Sequence, residues 1–232
     1  MIEDENMGQE KNAVQVKICG ITRKEEAAYL NEAGADYAGF VFFPKSKRNI
    51  SFEAAKEIFP LLDEKMKKVA VFVSPTLEEV RKAEEIGIDI IQIHGTLEKE
   101  ICKKSRHPIW RAWNFKNRQE EEKEEFFSLL RENVNTRNEN SGFAGIVVDG
   151  AEYGSGKTFD WNDREELLRF LGNHRKQKFI LAGGLNAGNV EEGISIFQPD
   201  IVDVSSGVEN ENGIGKNREK ILEFVGKVRT HE

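Results

Sequence analysis

The chain has 232 residues, 38% of them hydrophobic and 32% charged, with a formal net charge of -7. That balance excludes a general nucleic-acid binder, which needs a basic footprint, but leaves room for a local basic pocket that takes a small anion. No apolar run approaches the ~20 residues of a membrane span. The two cysteines, Cys19 and Cys102, lie far apart and form neither a disulfide framework nor a zinc pattern, so a reducing cytoplasm is the expected setting. Residues 1–13 are polar and acidic, without the apolar stretch of a secretory signal, and read as a flexible arm ahead of a single domain over 14–232.

From there β-type and helix-type segments alternate. A strand over 14–18 is followed by a helix over 23–33, with Thr22 and Glu25 spaced as a capping box. A second strand covers 37–42, and Ser51 caps a helix running towards 62. The third strand is 69–73; Thr76 and Glu79 repeat the capping box before a helix to about 86. Strands at 89–93 and 109–113 flank a helix over 97–105. An amphipathic helix over 119–132, a strand over 145–148 and a helix over 163–173 come next. Strands at 178–182 and 200–204 alternate with helices over 189–197 and 217–228. Eight strand–helix pairs of near-continuous apolar strands predict a closed (β/α)8 barrel. An open doubly wound sheet is the alternative, and the Gly-rich fingerprint it would carry after the first strand is missing.

In such a barrel the chemistry gathers at the carboxyl ends of the strands. Cys19 ends the first strand one turn before a helix amino terminus, whose partial positive charge lowers a thiol pKa. Lys17 shares its strand parity, so both side chains are expected on the same face. On these residues alone, a small buried thiol with only a packing role stays open. The second strand leads into a basic loop, Lys45-Ser46-Lys47-Arg48. Gln92 and His94 form a polar pair on one face of the fourth strand and read as site residues, while Arg111 sits on the fifth. Asp149, ending the sixth, reads as an acid–base partner for the thiol. The seventh and eighth strands end in Ala182-Gly183-Gly184 and Ser205-Ser206-Gly207. Small residues there let backbone amides approach a bound phosphate.

The acidic run 120–125 reads as a solvated helix start, and no His, Cys and carboxylate set has metal spacing. His107, His174, His231 and Cys102 are assigned no function. Gly154-Ser155-Gly156-Lys157 lacks the spacing of a P-loop, which argues against nucleotide hydrolysis. Its glycines make 150–160 a candidate lid.

Lys17-Ile18-Cys19-Gly20, Gly34-Ala35-Asp36 leading into Gly39-Phe40-Val41-Phe42, Gln92-Ile93-His94-Gly95, Gly154-Ser155-Gly156-Lys157-Thr158-Phe159-Asp160-Trp161, Ala182-Gly183-Gly184-Leu185 with Asn189-Val190, and Asp203-Val204-Ser205-Ser206-Gly207-Val208-Glu209 stand in register along the chain. In that order they resemble the phosphoribosylanthranilate isomerases of tryptophan biosynthesis, over nearly everything after Ala13. The resemblance implies a (β/α)8 barrel that uses no cofactor and no metal. Its implied reaction turns N-(5-phosphoribosyl)anthranilate into 1-(2-carboxyphenylamino)-1-deoxyribulose 5-phosphate by an Amadori rearrangement. It places Cys19 at the general base, Asp149 at the general acid and Arg48 at the anthranilate moiety. Lys17, Gln92, His94 and Asp203 join the substrate site, and Gly183, Gly184, Ser206 and Gly207 the phosphate site. The implied partner is one phosphorylated small molecule, with no nucleic acid or membrane, the chain being a monomer or homodimer.

Two departures stand out. Ser46-Lys47-Arg48 replaces the family's usual Ser-Pro-Arg, and Asn217 stands where an aspartate usually follows the Gly-x-Lys pattern, which weakens an expected helix cap. The chemistry also fits the residues on its own terms. An acid must protonate the ribose ring oxygen, and desolvation in a barrel mouth raises a carboxyl's pKa. The Schiff base formed by ring opening then acidifies the C2 proton, which a thiolate removes; Lys17 and the helix terminus are expected to raise the thiolate fraction. Competing readings are another sugar-phosphate barrel enzyme, such as an indole-glycerol-phosphate synthase or a ribulose-phosphate epimerase, and a barrel that binds a phosphorylated ligand without turnover.

Overall fold

The computed structural model describes residues 13–114, 143–149 and 177–231. Its strands are β1 (Gln15–Cys19), β2 (Tyr37–Val41), β3 (Lys67–Val73), β4 (Ile90–His94), β5 (Ile109–Asn114), β6 (Phe143–Asp149), β7 (Lys178–Ala182) and β8 (Ile201–Val204). They pair in chain order, every pair parallel, and β8 pairs with β1. The expected closed barrel is therefore present, and an open doubly wound sheet is excluded by the β1–β8 ladder. Six described α-helices accompany the strands: α1 (Lys24–Ala33), α2 (Phe52–Ile58), α3 (Leu77–Ile86), α4 (Lys99–Lys104), α5 (Val190–Phe197) and α6 (Arg218–Thr230). The predicted helices over 119–132 and 163–173, the 150–160 segment and residues 1–12 lie outside the described residues.

Alternation along the strands sorts the apolar side chains into two layers. Tyr37, Val69, Val71, Trp110, Val147, Ile180 and Ile201 fill the barrel interior. Their sequence neighbours, such as Ala38, Phe40, Ala70, Phe72, Ile146 and Leu181, face outward against Leu30, Ile58, Val80, Ile194, Phe224 and other helix residues. At the amino-terminal end Tyr37 packs edge-on against Trp110, 5.1 Å between ring centroids, and donates its hydroxyl proton to Gln15 Oε1 at 2.9 Å. This fills the barrel's lower half and leaves the opposite end for a cavity.

A repeated turn sets the strand starts. Gly34, Gly87 and Gln198 end α1, α3 and α5 in the left-handed conformation. Two residues later Asp36, Asp89 and Asp200 accept hydrogen bonds from the backbone N–H of Val16, Lys68 and Phe179 at 2.7, 2.8 and 2.7 Å. Asp89 and Asp200 thus belong to turns, and β4 and β8 each begin one residue later than the apolar pattern predicts.

The helix starts follow the capping chemistry with one shift. The Thr76–Glu79 box forms as expected, Glu79 Oε2 accepting from Thr76 N–H at 2.8 Å. At α1, however, Arg23 is the cap and Glu26, rather than Glu25, turns back. Its Oε2 accepts from Thr22 and Arg23 N–H at 2.8 and 3.1 Å, while Oε1 accepts from Lys216 N–H at 2.7 Å. That long-range bond to the chain before α6 rewards burying Glu26 and decides between the two glutamates. The replacement at Asn217 does not weaken its helix start either, because Asn217 Oδ1 accepts from Lys220 N–H at 3.0 Å as an aspartate would.

Candidate active site

A cavity of about 360 Å³ opens at the carboxyl ends of the strands. Cys19, Arg48, Gln92, His94, Asp149, Gly183, Gly184, Asp203 and Ser206 all line it, so nine of the residues singled out in the sequence share one wall system. Gly183 and Gly184 take φ of 92° and 66°, a backbone that other residues adopt only with strain. Two residues fall elsewhere. Lys17 is fully buried beneath the cavity, its Nζ donating to Asp203 Oδ2 at 2.8 Å. Gly207 lies behind the wall, where a Cβ would stand 2.1 Å from the Leu185 carbonyl oxygen. Its small size lets the β7 and β8 turns pack together.

The thiol end is tightly built. Lys17 pairs with Asp203 across the β1–β8 ladder, and Cys19 stands opposite Gly39 of β2. A Cβ at Gly39 would lie 2.9 Å from Cys19 Sγ and 3.1 Å from Lys17 Nζ, so only glycine leaves room for both groups. Ser205 Oγ donates to the Cys19 carbonyl at 2.9 Å and in turn receives Lys216 Nζ at 3.2 Å. Gln92 Nε2 and His94 Nε2 are 2.8 Å apart. Arg111, on the outer face of β5, donates to the carbonyls of Ile93 and Gly95, which flank His94 and fix the β4 end. Three cavity-lining residues keep a buried polar atom with no hydrogen-bond partner among the described residues: Asp203 Oδ1, Gln92 Oε1 and Arg48 Nη2. Buried polar atoms are almost always bonded, so these mark where polar groups of a ligand belong.

Comparison with known proteins decides the family. The model of N-(5'-phosphoribosyl)anthranilate (PRA) isomerase matches residues 16–227. The chain belongs to the N-(5'-phosphoribosyl)anthranilate isomerase family. An isomerase of that name from Thermoanaerobacter sp. (strain X514) is 40% identical over 219 residues, covering 93% of this chain and 98% of its own. One from Streptococcus gordonii is 37% identical over 218 residues, with 93% and 97% covered. Monomers generated from the dimeric Thermotoga maritima isomerase superpose with a TM-score of 0.75 at 36% identity, covering 94% of this chain and 99% of that one. A phosphoribosyl anthranilate isomerase in complex with reduced 1-(O-carboxyphenylamino)-1-deoxyribulose 5-phosphate superposes at 0.73 and 34% identity, with 94% and 99% covered. A 3-hexulose-6-phosphate synthase from Salmonella typhimurium, 14% identical, shares the fold alone.

For an isomerase barrel the charge balance around the thiol is the feature that residue order does not reveal. Burial pushes the Cys19 thiol above its ordinary pKa; Lys17 and Lys216 pull it down, Asp203 adds to the rise, and burial prevails. Lys17 thus acts on the thiol in the expected direction, but burial outweighs it. Burial also opposes the charge on Lys17, yet Asp203 and the thiol outweigh it and raise its pKa, so it stays an ammonium. Asp203 is raised by burial against the pull of Lys17. Lys17→Met is expected to push the thiol pKa higher still, seen as a several-fold slower alkylation of Cys19 near neutral pH. An unchanged rate-against-pH profile would remove Lys17 from any role in tuning the thiol.

Three site residues escaped the sequence reading: Ser205, Glu209 and Lys216. Ser205 and Glu209 stand inside the eighth-strand motif, and Lys216 inside the Gly-x-Lys pattern. The signal was present, but their partners are remote in sequence, so no local spacing could assign them.

Proposed function

We propose that this chain isomerises N-(5-phosphoribosyl)anthranilate to 1-(2-carboxyphenylamino)-1-deoxyribulose 5-phosphate, with Cys19 as general base and Asp149 as general acid. The carrying observation is that a thiol from the end of β1 and a carboxylate from the end of β6 line one cavity with an arginine and a glycine turn. Family membership and the bound reduced product of a relative support the choice of substrate.

Asp149 protonates the ribose ring oxygen, the C1–O bond breaks, and the nitrogen lone pair forms a cationic Schiff base at C1. Cys19, as thiolate, takes the C2 proton, and the electrons left behind neutralise the iminium to give an enolamine. Tautomerisation yields the ketone, so atoms and charge balance without a redox partner. The raised thiol pKa fits this order, since the positive Schiff base arriving beside Cys19 favours the thiolate when it is needed. The phosphate lies against the Gly183-Gly184 turn and Ser206, where backbone amides can meet it. Arg48 Nη2 meets the anthranilate carboxylate, while Asp203 Oδ1 and Gln92 Oε1 accept from the open-chain hydroxyls and amine. A cytoplasmic setting keeps Cys19 reduced.

The direct test is the loss of anthranilate fluorescence when the purified chain meets phosphoribosylanthranilate. Turnover at enzyme-like rates is expected, and a chain that binds the substrate without consuming it would overturn the reading in favour of a ligand-binding barrel.

A further inference from the structure

Arg48 is held from behind. Its Nε donates to Glu209 Oε1, and its stem crosses Gly20, where a Cβ would lie 2.6 Å from Arg48 Cδ. That leaves Nη2, buried and without a partner among the described residues, on a side chain that lines the cavity. Glu209 is itself only 6% exposed and meets two further cations. Lys47 Nζ donates to its Oε2 at 2.9 Å and Lys216 Nζ to its Oε1 at 3.3 Å. Lys216 is anchored by the Ser205 carbonyl at 3.1 Å, and Lys47 reaches in from the β2–α2 loop at the position where the family pattern has proline.

Burial alone would raise the Glu209 carboxyl, but its bonds to Arg48, Lys216 and Lys47 hold it at about 2, so it is ionised throughout the working range. Three cations around one carboxylate leave this wall with an excess of positive charge. A ligand carboxylate would offset it.

We propose that Glu209 is a positioning residue that grips Arg48 by its Nε edge and so presents Nη2 to the carboxylate of the anthranilate end. Lys216 and Lys47 hold Glu209 in turn, and Lys47 supplies from a side chain the loop restraint that proline would supply from the backbone. This rests on the isomerase reading above and names how that site selects a carboxylated aryl amine over an uncharged one.

The test compares two ligands on the full chain: the reduced product, and its counterpart with phenyl in place of carboxyphenyl. Glu209→Gln is expected to weaken the carboxylated ligand by about tenfold or more, the scale of a lost charge-assisted hydrogen bond. The phenyl ligand should change by less than about twofold, since it does not engage Arg48. The KM for phosphoribosylanthranilate should rise in step with the first ligand, with a smaller change in kcat. Lys47→Met should move the same way by a smaller factor, and because Lys47 is 53% exposed it carries the comparison if Glu209→Gln does not fold. In an Arg48→Met background, Glu209→Gln should add nothing. Equal weakening of both ligands, no weakening, or a fully additive loss in that background would overturn the inference. A wild-type chain that turns over the substrate while its variants behave in those ways keeps the isomerase reading and loses only this inference. Failure of the wild type to turn over defeats the reading itself.

Discussion

Cys19→Ala is expected to lower kcat by about 10²–10⁴-fold or more, the range over which a positioned proton-transfer group contributes. Affinity for the reduced product should change little. The argument is geometric. Cys19 lies on the cavity wall opposite Gly39, and Lys17 beneath it is held as an ammonium by Asp203, so it cannot take over as the base. Truncation to alanine removes one sulfur atom from a site already open to the cavity, so the neighbouring backbone, held by Ser205 on the Cys19 carbonyl, is undisturbed. Titration with the reduced product separates the two possibilities. A lost kcat with retained binding assigns a chemical role to the thiol, whereas wild-type turnover in Cys19→Ala would end its assignment as the base.

Asp149→Ala should be as damaging, for a different step. Ring opening requires a proton on the ribose oxygen, which in the proposed reaction comes from the Asp149 carboxyl on the cavity wall. Asp149 sits at the last position of β6, in register with Ala182 of β7, directly beside the Gly183-Gly184 turn proposed to hold the phosphate. A phosphate bound there would bring the sugar ring over the carboxyl. A loss of about 10²–10⁴-fold in kcat is expected, again with product affinity largely kept. Asp149→Asn, which keeps the shape but cannot donate an acidic proton, should be no better than alanine. Recovery of activity in the asparagine variant would show that shape rather than proton transfer is what Asp149 provides.

Much of the architecture is legible along the chain because it rests on local physics. Near-continuous apolar runs, the Thr76–Glu79 box and the Ser51 cap each depend on near neighbours in the chain; the runs mark all eight strands to within one or two residues at their ends, and both caps form. Errors concentrate where a local choice was decided at long range. Thr22 with Glu25 is locally the better box, since an arginine side chain cannot accept a hydrogen bond, yet Lys216, 190 residues on, offers its N–H to Glu26 and favours the start at Arg23. Asp89 and Asp200 look like strand residues until their carboxylates are seen capping the backbone of the neighbouring strand.

The site divides along the same line. Sequence by itself determined which residues end the strands, and hence that Cys19, Asp149, Gln92, His94 and the Gly183-Gly184 turn share one face of a parallel barrel. Tertiary structure alone decided what those groups experience. Lys17 meets Asp203 from 186 residues away, and Arg48 meets Glu209 from 161. The thiol that looked set for a lowered pKa is instead raised by burial, because desolvation and the Asp203 carboxylate depend on three-dimensional surroundings that no spacing encodes. Strand parity is a short-range property of the backbone and can be counted; electrostatic environment is a sum over everything nearby in space, and only the closed barrel brings its members together.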